Sequence, residues 1–384
     1  MAFAGRCFIE EIPRYIKEKG RSVENSMCFE TPRQDNPFFS IVIPIYNAES
    51  YIKDTIYSIL TQSFADFELL LIDDGSKDHS PAICDEFSKQ DCRVHVIHKE
   101  NEGLVMTTNL GLHLAKGMYI YFVDHDDLLI EGALEKVHAK IKSIHEPPDV
   151  LQCNFCFLEK GTIIPSGISF PQKDIPTIEG YRMAYVYENL FCNEQHLIMA
   201  LWSKFIKTAY VRKNNIIGDP TFFCAVDGDI TLKLYTYSSN IVYFDIPIYY
   251  WRIGEGLTLS KTQSKEVILA RIKWFEKVRE HARNIYLTRK ARRNIREYAD
   301  YNLTCQISLL KEHYGDIYEA KHIKTRAAKR MLWAICNPTS KLDLYCRIKS
   351  FLELILELII GRQKTEQFIQ KVVTLKKRVF ILWK

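Results

Sequence analysis

An α/β fold on a mostly parallel central sheet is what this sequence predicts, and three observations predict it. Short runs of β-branched and aromatic residues recur at positions 39–46, 67–72 and 119–123. Helical patterns separate them: Tyr51, Ile52, Ile56, Ile59 and Leu60 share one face, and Ala82, Ile83 and Phe87 share another. Each strand-like run empties into a polar turn, at Asn47, at Asp73-Asp74-Gly75-Ser76 and at Asp124-His125-Asp126-Asp127. Strand–helix–strand alternation with short loops gives a doubly wound sheet with flanking helices, and such sheets bind ligands beyond the carboxyl ends of their strands.

The three turns therefore converge on one edge. At the first, Tyr46 offers a flat face on which a nucleobase can stack; the alternative is an aromatic packed on a neighbouring helix. At the second, the Asp74 carboxylate can accept a hydrogen bond from a base N–H or a ribose hydroxyl. The third turn is the most informative, because three carboxylates in four residues repel one another. Burying each without a partner costs several kcal/mol. A hard divalent cation, Mg²⁺ or Mn²⁺, itself holding a phosphate, supplies the missing charge. Capping is the alternative, with Asp126 or Asp127 at the head of a helix over 131–144. One Asp satisfies that role, and three exceed it.

The ordered set Ser40-Ile-Val-Ile-Pro-Ile-Tyr-Asn47, Leu69-Leu-Leu-Ile-Asp-Asp-Gly-Ser76, Asn101-Glu-Gly-Leu104 with Asn109-Leu-Gly111, and Tyr119-Ile-Tyr-Phe-Val-Asp-His-Asp-Asp127 resembles the family 2 glycosyltransferases of the GT-A fold. The resemblance covers residues 38–146. It implies transfer of a sugar, with inversion, from a nucleotide-diphosphate donor, using Mg²⁺ or Mn²⁺. Carried over by position, Pro44 and Tyr46 line the base pocket, Asp74 contacts the base, and Asp73 and Asn109 join the donor-binding set. Asp124 sits near ribose and metal, and Asp126 is the main metal ligand. Such a metal would bridge the diphosphate and neutralise the charge growing on it as it leaves.

The resemblance also places a general base in a later acidic motif, matched here by Ala225-Val226-Asp227-Gly228-Asp229. Asp227 is the expected base, with Asp229 in reserve. A carboxylate suits that role because it takes the acceptor hydroxyl's proton and favours the cationic sugar centre. Both acids also suit a helix N-cap. Two departures stand out, Val226 where the family motif carries Glu and Thr108 where many relatives carry Arg. Trp202, in Ala200-Leu-Trp-Ser-Lys-Phe205, suits a sugar platform or a core position equally. Arg252, in Tyr249-Tyr-Trp-Arg252, suits a bidentate diphosphate contact or a plain ion pair.

Three regions are expected: an N-terminal helix (7–19) and linker over 1–37, a catalytic domain over 38–261, and a basic helical region over 262–384. Charge divides the chain sharply. The last region holds 27 Lys/Arg against 12 Asp/Glu, so a net charge of +5 conceals about −10 in the first 261 residues. Basic clusters at 289–293, 324–330 and 376–378 lie beside apolar segments at 331–335, 351–360 and 379–383. That pattern suits an anionic membrane surface; a helical lid or an oligomer contact is the alternative. Nucleic-acid binding is disfavoured, since no recognition motif accompanies the charge.

No apolar stretch reaches a bilayer span, and acids follow the short apolar N-terminal patch, unlike a signal peptide. Eleven cysteines without framework spacing suit free thiols in a reducing cytoplasm, with Cys153-Asn-Phe-Cys156 read as core. Asn302-Leu-Thr304 is a glycosylation pattern without meaning in that compartment. A dinucleotide oxidoreductase is excluded, because Pro44-Ile-Tyr-Asn-Ala-Glu49 lacks the glycines that cradle a pyrophosphate. The expectation is an inverting transferase at the inner membrane face, moving sugar from a UDP-sugar to a glycan or lipid-linked acceptor. The alternative is a nucleotide-sugar-binding assembly partner that has lost transfer.

Overall fold

The computed structural model describes residues 36–167, 199–237, 240–253 and 264–284, with isolated positions at 299, 302, 303 and 306. The expected N-terminal helix, the basic clusters and the apolar segments beyond residue 330 lie outside the described residues. So does Thr304 of the glycosylation pattern.

The first half of the domain alternates as predicted. Strand β1 (Phe39–Ile45) is followed by α1 (Ile52–Leu60), β2 (Phe67–Asp73), α2 (Ser80–Gln90), β3 (Val94–His98), α3 (Leu104–Leu114) and β4 (Tyr119–Phe122). β1 pairs parallel with β2 and β4, and β2 pairs parallel with β3. Both faces are covered, which is why the strands read as continuous apolar runs. Ile41, Ile43, Leu69, Leu71 and Tyr121 join the core beneath α1 and α2. On the other face α3 lies so close that a Cβ on Gly111 would fall 2.5 Å from Val42 Cγ1. One expected helix face is shifted: Ala82 is exposed, and Ser80 and Cys84 are buried with Phe87.

Past β4 the sheet becomes mixed. Short β5 (Leu128–Leu129) leads into α4 (Ala133–Lys142), then β6 (Val150–Glu159), β7 (Thr162–Pro165), β8 (Lys204–Lys207), α5 (Thr208–Lys213), α6 (Val226–Tyr237) and β9 (Ile241–Ile253). The described strands run β3-β2-β1-β4-β8-β6-β9-β5, with β7 on β6. β4–β8, β8–β6 and β9–β5 are antiparallel, and β6–β9 is parallel. Cys153 and Cys156 are buried free thiols on β6, as core cysteines should be.

A second compact unit contains helix α7 (Lys265–Asn284). Val267, Ile268, Ile272 and Val278 form its buried stripe at helical spacing, and Trp274 meets Phe275 edge-on at 4.8 Å. Among the described residues no helix is long and apolar enough to cross a membrane.

Candidate active site

The turn after β2 is closed upon itself. Asp73 accepts from the Ser76 amide at 3.0 Å and lies 3.0 Å from His98 Nδ1, whose Nε2 is 3.2 Å from Asp85. The bond to Asp73 leads the causes that raise the His98 pKa. Asp74 accepts from Lys99 Nζ at 2.5 Å and from the Glu102 and Gly103 amides at 2.9 Å each. Those amides open helix α3, where unpaired N–H groups favour an anion. Burial alone would raise the Asp74 pKa, but the Lys99 bond and the two amides outweigh it and hold the carboxyl below its ordinary value. Gly75, at φ +71°, makes this turn possible, and a Cβ there would lie 2.9 Å from the Asn101 nitrogen. Asp74, expected to reach for a base, thus has most of its acceptor capacity already engaged.

The turn after β4 differs. Of its three acids only Asp127 is folded in. Its Oδ2 accepts from the Tyr249 hydroxyl at 2.8 Å and its Oδ1 from the Arg252 amide at 2.7 Å. The expectation that none of the three carboxylates is satisfied within the fold fails for Asp127, for which strand β9 supplies two donors. The helix-capping alternative also fails, since Gly132, in a left-handed conformation, precedes α4 with no side-chain cap. Backbone anchors hold the turn: Thr55 Oγ1 lies 2.8 Å from the carbonyls of both His125 and Asp127, and the Asp124 amide donates to the Tyr249 hydroxyl at 3.1 Å.

Asp124 and Asp126 remain. Solvent reaches both, Asp124 being exposed and Asp126 half-buried. Desolvation, then the negative charges of Asp127, Asp227 and Asp126, push the Asp124 carboxyl well above the ordinary range. Desolvation and Asp126 likewise bring Asp127 up to about 7. Among the described residues no Lys, Arg or His forms an ion pair with Asp124 or Asp126. Hard oxygen donors with uncompensated charge fit a divalent cation. No described group of three or more His, Cys, Asp or Glu side chains forms a metal cage by itself. Mg²⁺ and Mn²⁺ suit such a site, since one or two carboxylates plus phosphate oxygens are a usual ligand set for Mg²⁺.

The two candidate bases separate clearly. Both sit in the first turn of α6 rather than at its cap. Asp229 is buried, accepting from Lys233 Nζ at 2.7 Å and from the Asp219 amide at 2.9 Å. That pairing makes it a strut for the preceding loop and withdraws it as reserve base. Asp227 is half-buried and near enough to Asp124 for its charge to raise that carboxyl. Burial raises its carboxyl to about 6, against the opposing pull of Lys204 and a hydrogen bond from the Leu201 backbone. Lys204 is wholly buried, bonded to the Ala200 carbonyl at 2.7 Å, and brought down to about 7 by desolvation. The Lys204 charge lowers the Asp227 carboxyl, and the Asp227 charge raises Lys204 in return. Val226 is a buried core residue at the position where the family motif has Glu.

The remaining expected residues fall in several places. Tyr46 is exposed at 47% just beyond β1, as a base platform requires, and the Pro44 carbonyl meets His125 Nδ1 at 3.3 Å. Asn109 spends its amide on Gly218, donating to the carbonyl at 2.9 Å and accepting from the nitrogen at 2.6 Å. It clamps a loop, so a direct donor contact is not what its geometry favours. Thr108 is buried and returns its hydroxyl to the Leu104 carbonyl at 2.7 Å. Arg252 lies over the Tyr51 ring at 5.2 Å with a loose 3.9 Å approach to Asp54. Trp202 is core, stacked on Tyr249 at 4.6 Å and 4°. Sequence reasoning missed Lys204, Thr55 and the Tyr249 hydroxyl. The Trp-x-Lys and Tyr-Tyr-Trp-Arg segments pointed at two of them, but no pattern said which side chain turned inward.

Comparison with known proteins places this geometry. Residues 40–178 match the model of Glycosyl transferase family 2. GlyG of Streptococcus pneumoniae, named a glycosyltransferase, is 30% identical over 233 residues, covering 56% of this chain and 71% of GlyG. The chain belongs to glycosyltransferase family 2. GlyA of the same organism is 30% identical over 225 residues, and EpsJ of Bacillus subtilis 28% over 222. Each match takes 56% of this chain, but it spans only 31% of GlyA and 61% of EpsJ. Among solved structures, S. aureus TarS 1-349 in complex with UDP-GlcNAc superposes with a TM-score of 0.52 at 20% identity, covering 87% of this chain and 92% of TarS 1-349. That likeness carries the fold, which is the GT-A architecture expected from the sequence.

Proposed function

We propose that this family 2 member is an inverting glycosyltransferase that moves a sugar from a nucleotide-diphosphate donor, a UDP-sugar by preference, to a hydroxyl of a glycan or lipid-linked oligosaccharide. One observation carries the reading: Asp124 and Asp126 stand just past β4 with no ion pair among the described residues, and the charge of Asp227 reaches Asp124 from helix α6. Evolution retains such an arrangement at a stability cost when a ligand needs it.

Asp124 and Asp126 would hold Mg²⁺ or Mn²⁺. When bound, that ion neutralises charge on the departing diphosphate. Exposed Tyr46 provides the stacking face for the base beside Pro44, and Arg252 stands within reach of the same edge. Asp227 takes the proton of the acceptor hydroxyl. A base near pH 6 is ionised at neutral pH and still basic enough to accept a proton in the transition state. The charge of buried Lys204 opposes the desolvation of Asp227. The names of relatives, among them a putative teichuronic acid biosynthesis glycosyltransferase of Bacillus subtilis, support a surface polysaccharide as the product. The charge of residues 262–384 supports work at an anionic membrane face.

The test is turnover of UDP-, GDP- and dTDP-sugars with Mn²⁺ or EDTA, with the product's anomeric configuration read by NMR. One donor consumed with metal, and an inverted product, is the expected result. Metal-dependent donor binding without turnover, even with lipid-linked acceptors supplied, would favour the non-catalytic partner.

A further inference from the structure

The acidic turn and the base lie on separate segments, 124–127 and 226–229, yet one aromatic pair reaches both. Tyr249 is fully buried, and its hydroxyl bridges two parts of the turn, accepting from the Asp124 amide and donating to Asp127 Oδ2. Two residues beyond the turn, β5 is in register with the same strand, Leu129 opposite Tyr249. Three residues along, the Arg252 amide holds the other oxygen of Asp127. Strand β9 therefore grips the turn at three points.

The Tyr249 ring is fixed from its other side. Trp202 lies parallel to it, 4.6 Å away, and is itself buttressed edge-on by Phe155 at 4.9 Å. Trp202 is the central residue of the single helical turn Leu201–Ser203. The neighbouring Leu201 backbone bonds to Asp227. The Ser203 hydroxyl and Lys204 Nζ both return to the Ala200 carbonyl, at 2.9 and 2.7 Å, so that turn is itself braced.

We propose that the Trp202–Tyr249 stack is a positioning element that registers the acidic turn against Asp227, and that the Tyr249 hydroxyl sets the turn's affinity for a divalent cation. The assignment rests on the transferase reading. The hydroxyl's one proton and one of its lone pairs are used in the turn, so removing it leaves the Asp124 amide without this partner and Asp127 with the Arg252 amide alone. Groups that orient metal ligands from behind typically change metal affinity by about 10–100-fold when lost.

The test is Mn²⁺ binding in the presence of UDP, followed through the electron paramagnetic resonance signal of free Mn²⁺, for native protein, Tyr249→Phe and Trp202→Phe. Tyr249→Phe keeps the ring and removes only the hydroxyl. We expect its Mn²⁺ affinity to fall about tenfold, with turnover recovering as Mn²⁺ is raised to saturation. Trp202→Phe retains the hydroxyl but loosens its seat; we expect a severalfold loss of affinity and a lower kcat that Mn²⁺ does not restore. Should Tyr249→Phe fail to fold, Trp202→Phe decides by the same two readouts. If the native chain binds Mn²⁺ with UDP and the folded variants bind it equally well, the positioning role is overturned while the transferase reading stands. If the native chain binds no Mn²⁺ with UDP, the transferase reading fails and this assignment falls with it.

Discussion

Two acidic turns stand at the ends of two strands that flank β1, and they have opposite fates. Asp73 and Asp74 are satisfied at home, by His98, by Lys99 and by three backbone amides. Among the described residues Asp124 and Asp126 have no such ion pair, and the charges acting on Asp124 are further carboxylates. The lesson is that partners, and not the number of acids, separate a structural turn from one that needs a ligand. Within the second turn the same distinction isolates Asp127, which β9 has absorbed. In helix α6, Asp229 is bound by Lys233 and the Asp219 amide, whereas burial still raises the Asp227 carboxyl against the pull of Lys204.

That contrast can be broken by substitution. The largest effect belongs to Asp227→Asn, which removes the base. Turnover should fall by about 10²–10⁴-fold while donor affinity, measured calorimetrically, changes little. Asp126→Ala should abolish metal-dependent donor binding, an effect of at least about tenfold, seen as loss of the difference between Mn²⁺ and EDTA. Stability should move in opposite directions at the two turns. Lys99→Met leaves Asp74 buried without its cation and should cost about 3 kcal/mol in denaturant unfolding. Asp124→Asn in metal-free protein relieves repulsion and should raise the melting temperature.

Smaller effects concern pH. The turnover rate should rise with pH through an acid limb near 6 as Asp227 ionises. Lys204→Met removes the charge that opposes desolvation, so the limb should move to higher pH; an unmoved limb would mean Lys204 does not tune the base. Asp127 has a folded value raised to about 7 above an ordinary 3.8, so the folded state holds the extra proton between them. Its contribution to stability therefore falls as pH rises across that window. Mn²⁺ with UDP should accordingly raise the melting temperature more at about pH 7.5 than at about pH 5, where protons compete for the turn.

Much of this was legible in the sequence because it is local. Continuous apolar runs named β1, β2 and β4, since strands buried on both faces need no alternation. The positions of Tyr46, Asp124 and Asp126 followed from where those runs stopped. What was hidden depends on contacts between distant segments. Asp127 looks like its neighbours until Tyr249 and Arg252 arrive from 122 and 125 residues away. Asn109 meets Gly218 across 109 residues, and Trp202 finds Tyr249 only once β9 is laid beside β6. The mixed second half of the sheet was hidden for the same reason, since antiparallel insertion of β8 between β4 and β6 leaves no mark on local periodicity.

The most direct test of the central claim is calorimetric titration of UDP-sugar into native protein, Asp74→Asn and Asp126→Ala, each with Mn²⁺ and with EDTA. Tight binding is expected with Mn²⁺ alone in the native chain. It should be lost in Asp126→Ala and survive in whatever fraction of Asp74→Asn remains folded. Binding that ignored EDTA, or that Asp126→Ala left intact, would contradict the metal role of the acidic turn.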